Sequence, residues 1–372
     1  MTSLATAPSL GLRPAPGTTR ILWIDCAKGL GITLVVIGHV IIGLADRLSL
    51  PVAWKQAEAW IYSFHMPLFF LLAGLFVERG LRDKGAGSFM VSRLKVLLYP
   101  YLVWATVQGV IHVMLSGYVS QPSHASDLWR IVYQPPMQFW FLYVLFLATL
   151  LYVAGRRAGL GPVVLTATAI ALYFSGPVLP LGPWGVPYQV RLYLPYFVLG
   201  CLIGGRGWTR LLPTASPVAL VAAAAIGFAA VSARLFIEVE ADPLDLLIAL
   251  CGTVATLATA ELVSRTAMQG LVATLGQYSL EIYLVHTICC SGIRIALSRF
   301  LAVNDPWTHL FVAVVVGLMV PVLFASLCYR VGWYFVFTLV PTHHARVGRA
   351  PRPAGAPTDE RELAAVGTSE RK

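Results

Sequence analysis

Ten apolar runs, parted by short polar breaks, set the frame of the chain. They fall at residues 21–44, 57–77, 96–116, 138–154, 160–176, 188–204, 215–236, 244–264, 277–301 and 308–329. A bilayer core of ~30 Å is crossed by ~20 apolar residues in a helix, and these runs are of that order. The pattern predicts an all-α protein, a polytopic transmembrane helix bundle of about ten spans. A further apolar stretch, 331–340, reads as a candidate interfacial helix. The flanks, 1–20 (rich in Pro, Ala and Thr) and 341–372 (rich in Pro, Ala and charge), read as disordered segments.

Composition agrees with the pattern. Of 372 residues, 58% are hydrophobic and only 12% charged, against about 25% charged in a soluble domain. The net charge of +10 would suggest nucleic acid in a soluble chain. Here the basic residues concentrate in alternate loops: Arg79, Arg82, Lys84, Arg93 and Lys95, then Arg156 and Arg157, Arg206 and Arg210, and Arg265, while the loops between carry only Arg47, Lys55 and Arg130. Arg13, Arg20, Arg346, Arg349 and Arg352 make both tails basic, while Glu238, Glu240, Asp242 and Asp245 make the seventh loop acidic. The positive-inside rule then puts both termini in the cytoplasm and makes the lipid bilayer the partner, with no nucleic acid. The six cysteines lie in apolar runs without metal-ligand spacing, so neither a structural disulfide nor a metal is expected.

The chemistry is carried by ionisable residues inside these runs. A charged side chain at mid-membrane costs on the order of 2.5–3.5 kcal/mol on insertion scales, so a functional role is its default reading. The first run holds Asp25, Lys28 and His39. On a helix they lie within about 60° of one another, with Lys28 and His39 ~16 Å apart along the axis. The plainer reading pairs Asp25 with Lys28 as end charges and makes His39 a satisfied core histidine. The second run contains SFHMPLFFLLAGLF. Pro67 there frees the carbonyl of Ser63 and predicts a kink beside His65.

The ninth run contains YSLEIYLVH, in which Ser279, Tyr283 and His286 share a face and Glu281 points elsewhere. Glu281 reads either as a site residue or as a solvated or arginine-paired end charge. Arg93 and Lys95 stand at the cytoplasmic entrance of the third span, where a phosphorylated ligand would first meet a guanidinium. Trp140, at the outer start of the fourth, reads more readily as an interfacial belt residue than as a substrate contact.

These pieces together resemble the integral-membrane acyltransferase family 3, the O-acyltransferases of bacterial surface carbohydrates, nodulation factors and some antibiotics. The resemblance rests on IDCAKGLGITLVVIGHV, FHMPLFFLLAG, RLKVLLYPY, FWFLY and YSLEIYLVH, in the family's order, and covers about residues 20–340. The KG before the histidine and the HMP box look closest to the fucose O-acetylase-like branch. One departure stands out: the family often has Arg-x-x-Arg before its third span, and here Arg93 is followed at that spacing by Val96.

The resemblance implies an acyltransferase transmembrane domain over 21–340, in a bacterial cytoplasmic membrane. It implies acyl-CoA as a co-substrate, with no cofactor, and an acceptor hydroxyl on a carbohydrate or lipid-linked glycan. On this reading His39 is general base or acyl carrier, Asp25 orients Lys28, and His65 and His286 hold the acceptor or the oxyanion. Arg93, Lys95, Trp140, Glu281 and Tyr283 complete the expected substrate contacts. The rival reading is a polytopic transporter or flippase, with a proton-carrying polar stripe and a basic mouth for an anionic substrate.

Overall fold

The computed structural model describes residues 21–45, 50–114, 125–176, 185–237 and 242–339, and among them every regular element is helical. The two tail segments expected to be disordered, and Glu238 and Glu240 of the acidic loop, lie outside the described residues. Among the described residues, eight helical stretches are long and apolar enough to cross a membrane. The other two apolar runs, 57–77 and 160–176, are helical as well, one in two pieces and one short.

The first run forms α1 (Leu22–Ala45). The second is divided: α2 (Val52–Tyr62) ends and α3 (His65–Gly74) begins across Ser63–Phe64. A kink was the expectation, and the structure breaks the helix outright. Pro67 has no N–H to return to Ser63, and Phe64 turns the chain with φ −141° and ψ −17°.

The chain then forms α4 (Val77–Arg93), which is a hairpin of two short arms hinged at Gly85. Gly85 has φ 71°, a conformation that side chains resist, and the ring of Phe89 folds back onto Gly80. A wide π-turn (Leu94–Leu98) leads into α5 (Tyr99–Met114). Next come α6 (Trp140–Arg157), α7 (Pro162–Tyr173) and α8 (Val186–Gly205). The short α9 (Leu211–Thr214) precedes α10 (Pro217–Arg234) and α11 (Asp242–Ser264). Last are α12 (Gln269–Gln277), α13 (Ser279–Phe300) and α14 (Pro306–Arg330). Asp305 caps α14, and hydrogen bonds from the Thr308 hydroxyl and N–H hold its carboxyl below the usual range.

The stretch 331–340 does not make an interfacial helix in its described part. It forms one 3₁₀ turn (Tyr334–Val336) whose carbonyls are tied down from α5: Tyr99 donates to Phe335 at 2.7 Å and Trp104 to Val336 at 2.9 Å.

Helix α1 is the axis of the bundle, packed by α2, α3, α11, α12, α13 and α14. Small residues let backbones touch, as is usual where lipid leaves no hydrophobic drive between helices. A Cβ on Gly276 would strike the carbonyl of Asp25, and one on Gly29 the carbonyl of Val272, so α12 runs antiparallel to the start of α1. Gly74 and Gly200 form a similar seam between α3 and α8.

Candidate active site

Three helices bring their histidines to one depth. Gly31 of α1 faces Phe69 and Leu68, and Gly38 faces Tyr62 and Ile61. His65 therefore lies opposite the segment between them, halfway along α1. Side chains on a helix lean toward its N-terminus, and His39 reaches back one turn so that its Nδ1 lies 3.0 Å from the Val35 carbonyl. His286, on α13, meets it there.

The contact is direct. His286 Nε2 lies 3.3 Å from His39 Nδ1, with ring centroids 5.1 Å apart. On its other side, His286 Nδ1 lies 2.9 Å from both the Ile282 and the Tyr283 carbonyls. His65 is buried, with Nδ1 2.8 Å from the Ile61 carbonyl rather than from the Ser63 carbonyl that Pro67 frees. Tyr62 joins the two groups: its ring is edge-on to His39 at 6.4 Å and to His65 at 4.6 Å. It fits there because Gly38 offers no Cβ in its way.

Beside the histidines stands a buried amide network that the sequence reading missed. Gln138 Nε2 donates to Gln108 Oε1 at 3.1 Å and to Thr287 Oγ1 at 3.0 Å. Gln108 in turn donates to the Leu284 carbonyl at 2.9 Å, and the Tyr283 hydroxyl donates to the Gln138 carbonyl. This network locks α5 and the start of α6 to the turn of α13 that carries His286.

Aromatic rings close the adjacent wall. Phe70 stacks on Tyr193 with centroids 4.9 Å apart, Trp140 packs on the same tyrosine at 5.1 Å, and Phe141 meets Tyr283 at 5.6 Å. Trp140, half-buried, thus packs in an aromatic cluster with Tyr193 and Phe141.

The other predicted residues lie apart from this centre. Asp25 and Lys28 are in the first two turns of α1, with their charged atoms 4.0 Å apart. His39 is eleven residues beyond Lys28, about 16 Å along the helix. Arg93 ends α4 with its guanidinium 4.7 Å over the Phe89 ring, and Lys95 is exposed in the π-turn. Glu281 is neither solvated nor arginine-paired among the described residues. It is buried and accepts a hydrogen bond from the Tyr329 hydroxyl of α14. No cluster of three or more His, Cys, Asp or Glu side chains among the described residues is arranged to hold a metal ion.

The family described as "Acyltransferase domain" matches residues 21–326. Among curated proteins, nodulation protein NolL of Mesorhizobium japonicum is 29% identical over 211 residues, covering 55% of this chain and 53% of that protein. NolL of Sinorhizobium fredii is 28% identical over 195 residues, half of each chain. The chain thus spans about half the length of the NolL proteins it matches. The inner membrane protein YcfT of Escherichia coli is 24% identical over 336 residues, 80% of this chain and 91% of that protein. No solved structure matches the chain.

Proposed function

The chain belongs to this acyltransferase family, and from that membership we propose that it is a membrane O-acyltransferase using acyl-CoA. The acyl group, acetyl by default, passes from the donor on the cytoplasmic side to a hydroxyl of a carbohydrate or lipid-linked glycan. The work is done in a bacterial cytoplasmic membrane with both termini inside, as the charge of the loops favours. The domain runs over 21–340.

The observation that carries the reading is the set of partners around the paired imidazoles. Tautomers are assigned from those partners. His286 Nδ1 faces two carbonyl oxygens, so it holds the ring proton. Its Nε2 is then a bare lone pair. His39 Nδ1 lies between that lone pair and the Val35 carbonyl, two acceptors, so it too holds its proton. His39 Nε2 is left unprotonated, which is what a general base requires.

The chemistry follows. His39 Nε2 takes the proton of the acceptor hydroxyl as its oxygen attacks the thioester carbonyl. The tetrahedral intermediate collapses with breakage of the C–S bond, and the departing thiolate takes the proton back from His39 as free CoA. His286 steadies the imidazolium formed on His39, by accepting the hydrogen bond from Nδ1. Tyr62, whose hydroxyl has no hydrogen-bond partner among the described residues, donates to the oxyanion. His65, with its proton on Nδ1, offers Nε2 to a neighbouring hydroxyl of the acceptor. Exclusion of water at mid-bundle limits thioester hydrolysis.

The test is complementation of a strain lacking the gene. O-Acylation of total surface glycans and glycolipids is read by mass spectrometry, alongside the membrane level of each variant. Wild type restores a mass shift of one acyl group, and His39→Ala, present at equal level, does not. Full restoration by His39→Ala would remove the base from its role. If wild type leaves every glycan unchanged, the carbohydrate acceptor is wrong.

A further inference from the structure

One cleft lies outside the histidine centre, where the hairpin α4 meets the end of α6. Glu78, Leu81, Arg82 and Ala86 of α4 and Val153, Arg156 and Arg157 of α6 line it, and its volume is about 230 Å³. Its floor is fixed by charge. Arg156 Nε donates to Glu78 Oε1 at 2.8 Å, and the Tyr152 hydroxyl donates to the same oxygen at 2.7 Å. The carboxylate is therefore already spoken for, and it cancels Arg156. Arg82 and Arg157 are exposed and have no hydrogen-bond or ion-pair partner among the described residues. The cleft thus carries two uncompensated guanidinium charges over a hydrogen-bonded, partly apolar floor.

We propose that this cleft is an anion site for a phosphate ester, held by Arg82 and Arg157. Guanidinium groups bind phosphate oxygens in pairs of charge-assisted hydrogen bonds, and two of them match a doubly charged phosphate. Arginines that only anchor a span in the headgroup layer need no concave, ion-pair-braced seat.

The position of the cleft extends the reading given above, on which it rests. Helix α6 runs from Phe141, at the aromatic wall beside Tyr283, to Arg156 at the cleft. That is fifteen residues, about 22 Å. The pantetheine arm of coenzyme A, comparable to an extended peptide of four to five residues, spans roughly 15 Å. Its diphosphate and ribose make up the remainder. A thioester held at this aromatic wall, next to the turn of α13 that carries His286, is therefore within reach of nucleotide phosphates at Arg82 and Arg157.

The experiment compares wild type with the double variant Arg82→Ala/Arg157→Ala, full length, in phosphatidylcholine nanodiscs, with coenzyme A as the probe in thermophoresis. A second arm counts retained phosphatidylglycerol by native mass spectrometry. Both side chains are exposed, so an unchanged melting temperature is the folding control. The double variant weakens coenzyme A binding about tenfold or more, the loss of charge-assisted contacts. If coenzyme A binding is unchanged but phosphatidylglycerol is lost, the phosphate site stands with a lipid headgroup as its source. If neither changes, the site is overturned. If wild type does not bind coenzyme A yet retains phosphatidylglycerol through these arginines, the donor of the proposed function fails while the cleft stands.

Discussion

Replacing His286 tests the link between the two imidazoles at the heart of the site. In the ground state His39 is neutral, and its hydrogen bond to His286 Nε2 is an ordinary one at 3.3 Å. During acyl transfer His39 becomes an imidazolium, and the same contact becomes a hydrogen bond to a charged group, worth about 1.5–3 kcal/mol. Only its excess over the neutral bond of about 1 kcal/mol acts on kcat, about 0.5–2 kcal/mol, so at 1.36 kcal/mol per decade its loss lowers kcat roughly 2- to 30-fold. His286→Leu removes the acceptor while filling most of the space, and His286→Gln offers a carbonyl oxygen near the position of Nε2.

The assay is the initial rate of free CoA release in the presence of acceptor, with purified protein and donor titrated through KM. His286→Leu loses kcat within the stated range at unchanged donor KM, because the interaction strengthens only as charge develops. His286→Gln recovers most of that loss, since its oxygen accepts the hydrogen bond from His39 Nδ1–H. A His286→Leu enzyme with the kcat of wild type would refute the tautomer argument. Equal loss in both variants with a raised KM would make His286 a substrate contact instead.

Three further outcomes follow from particular contacts. Tyr62→Phe lowers kcat about 100-fold, as for loss of one oxyanion donor, without changing the melting temperature; an unchanged kcat removes Tyr62 from the reaction. Gly276→Val drives a side chain into the Asp25 carbonyl and costs about 1–3 kcal/mol or more. Size-exclusion profiles of detergent extracts should show less monodisperse protein, and a wild-type yield would contradict the close seam of α1 and α12. Tyr329→Phe deprives the buried Glu281 of its hydrogen bond at a cost of about 1–3 kcal/mol. The melting temperature falls while kcat per folded molecule holds, and a lost kcat would return Glu281 to the site.

Much of this was legible in the sequence, for a physical reason. Hydropathy marks lipid-crossing helices directly, so the apolar runs mapped onto helices. Histidines in such runs stand out, and His39, His65 and His286 do converge. The amides were invisible: Gln108, Gln138 and Thr287 are uncharged and cost hydropathy little, and their role depends on three helices meeting. Tyr62 reads as one more aromatic in an apolar run. The break at Ser63–Phe64 was foreseen only as a kink, since Pro67 shows where a hydrogen bond is lost but not how the chain responds. Trp140 carried no sign of which neighbours would enclose it. Arg156 looked like a loop charge because its partner, Glu78, is 78 residues away in sequence.

The wide turn at Leu94–Leu98 has a consequence for counting along the chain. Such a turn accommodates one residue more than an α-turn, and each residue of an α-helix turns the next by about 100°. Beyond it α5 presents Tyr101, Trp104 and Gln108 to the interior and Leu102 and Val107 to the outside. Deleting Val96 would tighten the turn and slip α5 back by one place. Gln108 would take the outward position that Val107 now holds, and Gly109 would face α13 in its stead. The amide that fastens α13 beside its histidine is thus kept in phase by a residue count twelve residues earlier, about 18 Å away.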